Sequence, residues 1–289
     1  MSVLLPLLVL AVLAGGAAAA ILLRRRRAAS ALYRARLAEA ASDGVLTDDE
    51  LADLASLRKR HDITHTQARS AALAIYRRAL RDALADHELT AEEDATLQRL
   101  QAQLGLRAGD LSTDLTLLSR MRLLGRVVAG DLPTVDVVGV QLVPDEQCHW
   151  LVRATLAERL PVPAVARVPL NAVELVVDDH APFATHGARD ELSLRDDILP
   201  HDLGVLAITS RRTIFHGAKR TVSVPHARLE RIGLYTDAVR LEEAATPGLA
   251  DAATLHRFLL VDDPELTAAF ALQAARLRRR DLNAANRTA

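Results

Sequence analysis

The longest uninterrupted apolar pattern lies at the N-terminus. No residue from Val3 to Leu23 is charged. About 21 helical residues at about 1.5 Å each extend roughly 31 Å, close to the hydrocarbon thickness of a bilayer. Four basic residues follow at once, and they are Arg24, Arg25, Arg26 and Arg27. Because positive charge stays on the cytoplasmic side of a membrane, the pattern predicts a single-pass anchor at residues 1–27 in an inner or plasma membrane, with the N-terminus outside and the body in the cytoplasm.

A cleaved signal peptide is the alternative for this segment. Such peptides carry their positive charge before the apolar stretch, whereas this chain carries it afterwards. Ala17–Ala20 still offers a possible cleavage site. The arginines are predicted to be a membrane-proximal basic group that stops transfer and contacts anionic headgroups. The members of this group are Arg24, Arg25, Arg26 and Arg27.

Residues 28–130 follow a helical pattern, rich in Ala, Leu and Arg and without proline. Within them, Asp43–Glu50 and Asp86–Glu93 share Asp, Leu, Thr and Glu at equal spacing, 43 residues apart. A threonine with a glutamate three residues later is typical of a capping box. The repeat therefore predicts a helix that begins after Thr47 and a second that begins after Thr90.

The same acidic turns allow a second interpretation, in which they bind a divalent cation. Calcium needs six to eight oxygen ligands, but Ala41 and Leu84 occupy the third position of the two candidate loops and supply none. The alternative function is accordingly a cation-responsive regulator. Its candidate ligands are Asp43, Glu50, Asp82, Asp86 and Glu93.

A helical hairpin that opens with D-G-x-L-T-x-x-E and occurs twice resembles the TerB-like superfamily, named for tellurite-resistance proteins. The resemblance is carried by Asp43–Glu50 and Asp86–Glu93 and covers the helical domain at 28–130. It implies an interaction module near a membrane, in a stress-response system such as that of the envelope.

Beyond residue 131 the pattern changes to short strands. Six of the eight aromatic residues lie there, and alternation from Cys148 to Leu156 predicts a half-buried strand. Several more apolar runs follow, separated by turn residues. Asp263-Pro264-Glu265 then predicts the start of an amphipathic helix. About seven short strands and one helix indicate a β-barrel closed by a C-terminal helix.

The stretch from Leu206 to Gly217 resembles the hairpin of the GRAM and bacterial pleckstrin-homology-like families. The matching residues are Leu206, Thr209, Arg212, Phe215 and Gly217. The resemblance assigns 131–280 to such a domain, with 281–289 as a tail, and implies that it binds phosphoinositides, other lipids, peptides or proteins. The expected fold class is therefore multidomain α and β: a transmembrane helix, an all-α helical-hairpin domain and a pleckstrin-homology-like barrel.

Basic residues flank the predicted hairpin and end the last helix. Arg211, Arg212, Lys219 and Arg220 are candidates for binding an anionic lipid or a partner protein. Arg276 and Arg278–Arg280 form the second group. The structural alternative is that hairpin ends are commonly charged and that arginines suit a helix C-terminus.

Net charge, cysteine content and the lack of known catalytic motifs argue against several classes of function. The net charge is −1, and without Arg24–Arg27 the chain is mildly acidic, which argues against nucleic acid. Cys148 is the only cysteine, so no internal disulfide forms, and its strand position predicts a buried thiol. There is no phosphate-binding glycine loop, G-x-S-x-G or H-E-x-x-H motif. We expect a non-enzymatic, membrane-tethered adaptor without a cofactor.

Overall fold

The computed structural model of the chain describes residues 20, 24–42, 44–86, 89–159, 170–178, 181–193, 198–244 and 257–288. The chain divides into two compact units, residues 1–122 and 123–289. The first unit is helical, and the second contains a β-sheet and a long helix.

Five α-helices precede the first strand in the described part of the chain. They are α1 (24–40), α2 (Asp48–Arg60), α3 (His65–Ala83), α4 (Ala91–Gln103) and α5 (Ser112–Val128). One apolar core joins the helices of the first unit, because each of them turns leucine, alanine or tyrosine side chains inward at helical spacing. Its largest fully buried side chains are Tyr76, Leu97, Leu100, Leu111 and Leu118.

Capping boxes begin three of these helices. At α2 the Thr47 N–H donates to Glu50 Oε2 at 2.9 Å, and the Glu50 N–H donates to Thr47 Oγ1 at 3.3 Å. Thr90 and Glu93 repeat this arrangement at α4, so both predicted capping boxes are confirmed. Thr64 and Gln67 form a third at α3, which the T-x-x-Q spelling could have predicted.

The predicted membrane anchor needs correction. Within the described residues, no helix combines the length and the apolarity that are needed to cross a bilayer. This finding contradicts the predicted single-pass topology, membrane localisation and integral membrane partner. The predicted span, Val3–Leu23, lies outside the described residues except for Ala20.

The four arginines after that span belong to α1. They are Arg24, Arg25, Arg26 and Arg27, and all four are exposed in its first turns. The same helix continues with Arg34, Arg36 and Glu39 on its exposed side, whereas its Tyr33 and Leu37 are buried in the core of the helical unit. The prediction that these four arginines stop transfer next to a membrane depended on the span, and it is therefore withdrawn together with it.

In the described part of the second unit, eight antiparallel strands form one sheet, in the order β2-β6-β7-β8-β1-β3-β4-β5. The long strand β1 pairs with both β3 and β8, so that Val152 faces Leu206 and Leu156 faces Leu259. The strands are β1 (Cys148–Arg159), β2 (Val173–Val176), β3 (Ile198–Thr209), β4 (Arg212–Gly217), β5 (Thr221–Pro225), β6 (Leu229–Leu234), β7 (Ala238–Glu243) and β8 (Arg257–Val261).

The last helix, α6 (Pro264–Thr288), packs on this sheet. It begins as its sequence predicts, because the Leu266 N–H donates to Asp263 Oδ1 at 3.1 Å. Phe270 stacks on Trp150 of β1 with the ring centroids 4.8 Å apart. The aromatic pair therefore fixes the helix to the centre of the sheet.

The predicted pleckstrin-homology-like β-barrel is wrong, because the sheet is open. In the described part of the chain its edge strands, β2 and β5, do not pair with each other. Alternation of apolar residues indicates which side chains face inward, but closure also requires matching strand tilt and stagger around the sheet. The short strand β2, which was not predicted, lies outside β6 and forms one of the two edges.

Candidate functional site

A groove of about 320 Å³ opens on the first unit between α2 and α3. Each helix contributes residues at positions i, i+3, i+4 and i+7, which form one helical face. Alanines within both faces leave the space that larger side chains would fill. These lining residues are Leu51, Leu54, Ala55 and Arg58 on α2, and His65, Ala68, Arg69 and Ala72 on α3.

The end of α2 holds Arg58 at the rim of the groove. Asp62 adopts a left-handed conformation with φ of 56°, which lets the Ile63 N–H bond back to the Arg58 carbonyl at 3.0 Å. The Arg58 Nε donates in turn to the Ile63 carbonyl at 3.3 Å. The backbone turn therefore positions this guanidinium without an acidic partner among the described residues.

Asp110 organises the opposite rim. Its carboxylate forms an ion pair with Arg69 and accepts a hydrogen bond from the Arg107 N–H at 2.9 Å. The Asp110 side chain is only 7% exposed, so Arg69 supplies most of its charge compensation. Within the described residues, no carboxylate pairs with the Arg58 or Arg107 guanidinium. The rim is consequently positive.

The end of α4 supplies the floor. Gly105, with φ of 63°, lets the Leu106 N–H reach the Gln101 carbonyl at 3.1 Å, so the helix stops with Leu104 at the groove. Tyr33 of α1 also lines it. Burial raises the pKa of Tyr33 more than the Arg58 charge lowers it, and the phenol is therefore neutral. An apolar floor with a positive rim suits an anionic ligand that carries apolar groups.

The basic residues predicted from sequence do not form one cluster. Arg211 and Arg212 lie at the β3–β4 turn, whereas Lys219 and Arg220 lie at the β4–β5 turn. These turns are at opposite ends of β4, roughly 17 Å apart for a strand of this length. The structure therefore brings the four residues together only in pairs.

Arg212 is part of a buried network. Its Nε donates to Glu146 Oε1 at 3.0 Å and a terminal nitrogen donates to Glu146 Oε2 at 3.1 Å. The Thr209 hydroxyl lies 2.6 Å from Glu146 Oε1, and its oxygen accepts the Arg212 N–H at 3.0 Å. Burial alone would raise the pKa of Glu146, but the hydrogen bonds from Arg212 and Thr209 outweigh it and lower the pKa. The motif residues Thr209 and Arg212 thus stabilise the hairpin.

The basic side chains at the β4–β5 turn also bind to groups within the fold. The Arg220 guanidinium pairs with Glu158 at 2.7 Å, and the Lys219 ammonium donates to the His201 carbonyl at 3.1 Å. The Asp202 carboxylate accepts hydrogen bonds from the backbone N–H groups of Lys219 and Arg220. A side chain at Gly217 would place its Cβ against the Asp202 carboxylate, so the motif glycine makes room for this group.

Two arginines in the middle of α6 also have architectural contacts. Arg276 donates to the Ala181 carbonyl at 2.6 Å, and Arg279 donates to the carbonyls of Val177 and Leu229, each at 2.6 Å. The predicted position of these arginines at the helix end is wrong, because α6 continues to Thr288, and their contacts with backbone carbonyls account for them instead.

The N-terminal basic group does not belong to the groove of the helical unit. None of its side chains lines the groove between α2 and α3, and all are exposed to solvent. The residues concerned are Arg24, Arg25, Arg26 and Arg27. They therefore add nothing to the candidate site of the helical unit.

The predicted metal ligands are dispersed. Glu50 and Glu93 use their carboxylates in the capping boxes, and Asp82 lies 3.8 Å from the Arg78 guanidinium. Asp86 follows the end of α3, and Asp43 lies outside the described residues. Across the described ranges, no three His, Cys, Asp or Glu side chains are grouped to hold a metal ion.

Two buried side chains in the second unit, the Cys148 thiol and the His226 imidazole, are uncharged at neutral pH. Burial raises the pKa of the Cys148 thiol, and this residue is buried as predicted. Burial also lowers the pKa of His226 to about 3, helped by the charge of His149. The His226 Nε2 lies 3.0 Å from Thr213 Oγ1, so the neutral imidazole is part of the packing.

The sequence interpretation missed the groove in the helical unit. Its arginines are scattered over α2, α3 and the turn after α4, and no local motif contains them. The one available signal was the matching i, i+3, i+4, i+7 spacing of small and basic residues in α2 and α3. No protein-family model matches this chain, and neither a curated protein nor a solved structure is detectably similar to it.

Proposed function

We propose that the protein is a non-enzymatic adaptor whose helical unit binds an acidic segment of a partner protein in the groove between α2 and α3. The observation that supports this proposal is the pairing of an apolar floor with a rim that has more arginine than carboxylate. Arg58 and Arg107 contact the carboxylates of the bound segment. Leu54 and Leu104 contact its apolar side chains.

The groove volume of about 320 Å³ sets the size of what is bound. It lies at the lower end of the range for small-ligand sites, which suits one or two side chains of a longer segment. The remaining contacts are made at the exposed rim. We therefore expect binding of moderate affinity that weakens as salt screens the arginines.

The test is a fluorescence-anisotropy titration of the full-length chain with a short labelled peptide in which glutamate and leucine alternate. The same peptide with lysine in place of glutamate is the control ligand. We expect the acidic peptide alone to bind. In the double variant Arg58→Gln and Arg107→Gln, affinity should fall about two- to thirtyfold, since exposed charge pairs contribute roughly 0.2–1 kcal/mol each.

A matched control uses Arg78→Gln and Arg81→Gln, two exposed positions on α3 outside the groove. This variant carries the same change in net charge and should bind as the wild type does. Equal weakening in both double variants would show that the peptide senses only net charge. Failure of the acidic peptide to bind the wild type would overturn the proposal.

A further inference from the structure

The free edge of β5 has hydrogen-bonding groups that the rest of the fold leaves open. In an antiparallel pair, alternate residues direct their N–H and C=O groups toward the neighbouring strand. The His226 N–H bonds to the Arg211 carbonyl at 2.9 Å, and the Gly217 N–H bonds to the Arg220 carbonyl at 3.0 Å. By this alternation Val222 and Val224 bond inward to β4, whereas Thr221 and Ser223 direct their backbone groups outward.

These outward groups are accessible. Thr221, Ser223 and Pro225 are exposed, and in the described part of the chain no backbone hydrogen bond occupies the outer N–H or C=O groups of Thr221 and Ser223. The other edge of the sheet differs. The Asp190 N–H there donates to the Asn171 carbonyl at 2.9 Å, and Gly187 lies close to Val173 of β2.

A groove of about 500 Å³ runs beside β5. One wall is the segment 139–143, and the other is the face of β4 and β5 that carries Ile214, Thr221 and Ser223. Ile214 belongs to a buried apolar cluster against which Val140 and Leu142 pack, so the bottom of the groove is apolar. The small side chains of Thr221 and Ser223 allow another backbone to approach the edge closely.

Charge distinguishes the two ends of this edge from the rest of the hairpin. Arg212 and Arg220 are neutralised by Glu146 and Glu158. The Arg211 guanidinium has no partner among the described residues, and the Lys219 ammonium donates to a carbonyl and interacts with the Asp202 carboxylate without an ion pair to it. One basic side chain therefore lies near each end of β5, at the two turns that are roughly 17 Å apart.

From these observations we infer that β5 accepts an extended acidic segment of a partner protein as an added strand. The backbone of that segment bonds to the outer groups of Thr221 and Ser223. Its apolar side chains enter the groove over Ile214, and acidic residues near its two ends meet Arg211 and Lys219. Pro225 has no N–H to offer, so the pairing ends there and the added strand is short.

This interaction is separate from the groove of the helical unit, because it uses other residues in the other compact unit. Strand addition draws its affinity from main-chain hydrogen bonds and its specificity from alternate side chains. The ligand is recognised as an extended chain with acidic ends, whereas the helical groove requires no such conformation.

The experiment titrates the full-length chain with a labelled peptide that has a core of valine and threonine and glutamates at both ends. A second peptide of the same sequence is N-methylated at alternate amides, which removes its donors and leaves its charges. We expect the first peptide to bind and the second to bind at least tenfold more weakly. Equal binding of the two peptides, or no binding of the first, would overturn the inference.

Two variants locate the site. Ser223→Pro removes an outward N–H and leaves the bonds from β5 to β4 in place, so affinity should fall about fivefold or more. Arg211→Gln with Lys219→Gln should weaken binding severalfold, whereas Arg153→Gln with Arg231→Gln, both exposed elsewhere on the sheet, should not. Normal binding to a folded Ser223→Pro variant would contradict the inference. If that variant does not fold, the N-methylated peptide and the charge variants decide.

A further experiment tests whether β5 pairs with a segment of a partner protein or with a second copy of the chain. Sedimentation of the wild-type chain without peptide should give the same mass as the Ser223→Pro variant. A dimer that dissociates on this substitution would show that β5 pairs with a second copy of the chain, and the partner segment would then be wrong.

Discussion

The helical groove and the β3–β4 turn both place arginines beside apolar side chains, but the two regions leave them in different states. At the turn, Arg212 makes two hydrogen bonds to Glu146, whose side chain has no exposed surface. At the groove, Arg58 has a single bond to a carbonyl, and the Arg107 guanidinium has no carboxylate partner among the described residues. An arginine that is paired with a buried carboxylate stabilises the fold, whereas an arginine without a carboxylate partner is available to bind a ligand. Membership of a basic run in the sequence does not distinguish these two cases.

The largest expected effect comes from breaking the network at the turn. Glu146→Gln removes the buried charge that compensates Arg212 and weakens the bond to Thr209. Because Arg212 is 28% exposed, water compensates part of the loss, and we expect unfolding to require about 2–3 kcal/mol less. Urea unfolding of the full-length chain measures this.

The control for that variant is Glu158→Gln, which breaks the exposed pair with Arg220. Its effect should stay below about 1 kcal/mol. Equal losses in the two variants would mean that the two turns do not differ in the way described.

The next effect concerns the buried imidazole of His226. Its folded pKa is about 3, against an ordinary value of 6.5. Below pH 6.5 the unfolded chain takes up a proton that the folded chain does not, so the free energy of unfolding falls as the pH falls from 6.5 toward 3. The expected slope from this group is about 1.4 kcal/mol per pH unit.

Unfolding titrations between about pH 7.5 and pH 5 of the wild type and of His226→Gln measure this contribution. The two stability curves should run parallel above about pH 7 and separate below about pH 6, where the variant becomes less sensitive to acid. Parallel curves over the whole range would show that His226 does not remain neutral in the fold.

A smaller effect is expected at the helix N-termini of the first unit. Thr47→Ala, Thr64→Ala and Thr90→Ala each remove a capping hydrogen bond and should lower stability by about 1 kcal/mol. Thr66→Ala, at an exposed position inside α3, is the matched control and should be neutral or slightly stabilising. A loss at Thr66 as large as that at the caps would contradict the assignment.

The sequence predicted the features that depend on neighbouring residues. The capping boxes join residues three positions apart, and Asp263 caps α6 in the same local way. Strands and helices followed from the period of their apolar residues.

Features that join distant segments could not be predicted. Glu146 and Arg212 are 66 residues apart, so nothing in the run of basic residues showed that Arg212 was already paired. A barrel closes only if the two edge strands of its sheet pair with each other. Here the edge strand β2 pairs with β6 and not with the strand at the opposite edge. The helical groove requires α2, α3, the end of α4 and the turn that holds Asp110.

We propose that Arg58 and Arg107 bind a ligand, whereas Arg212 maintains the fold. The most direct test measures urea unfolding and acidic-peptide anisotropy on the same samples of wild type, Arg58→Gln with Arg107→Gln, and Arg212→Gln. The double variant should lose about two- to thirtyfold in affinity and change stability by less than about 0.5 kcal/mol. Arg212→Gln should lose about 2–3 kcal/mol of stability, because it leaves Glu146 buried without its partner, and should bind the peptide normally while folded. Loss of stability in the double variant, together with loss of binding in Arg212→Gln, would contradict the account.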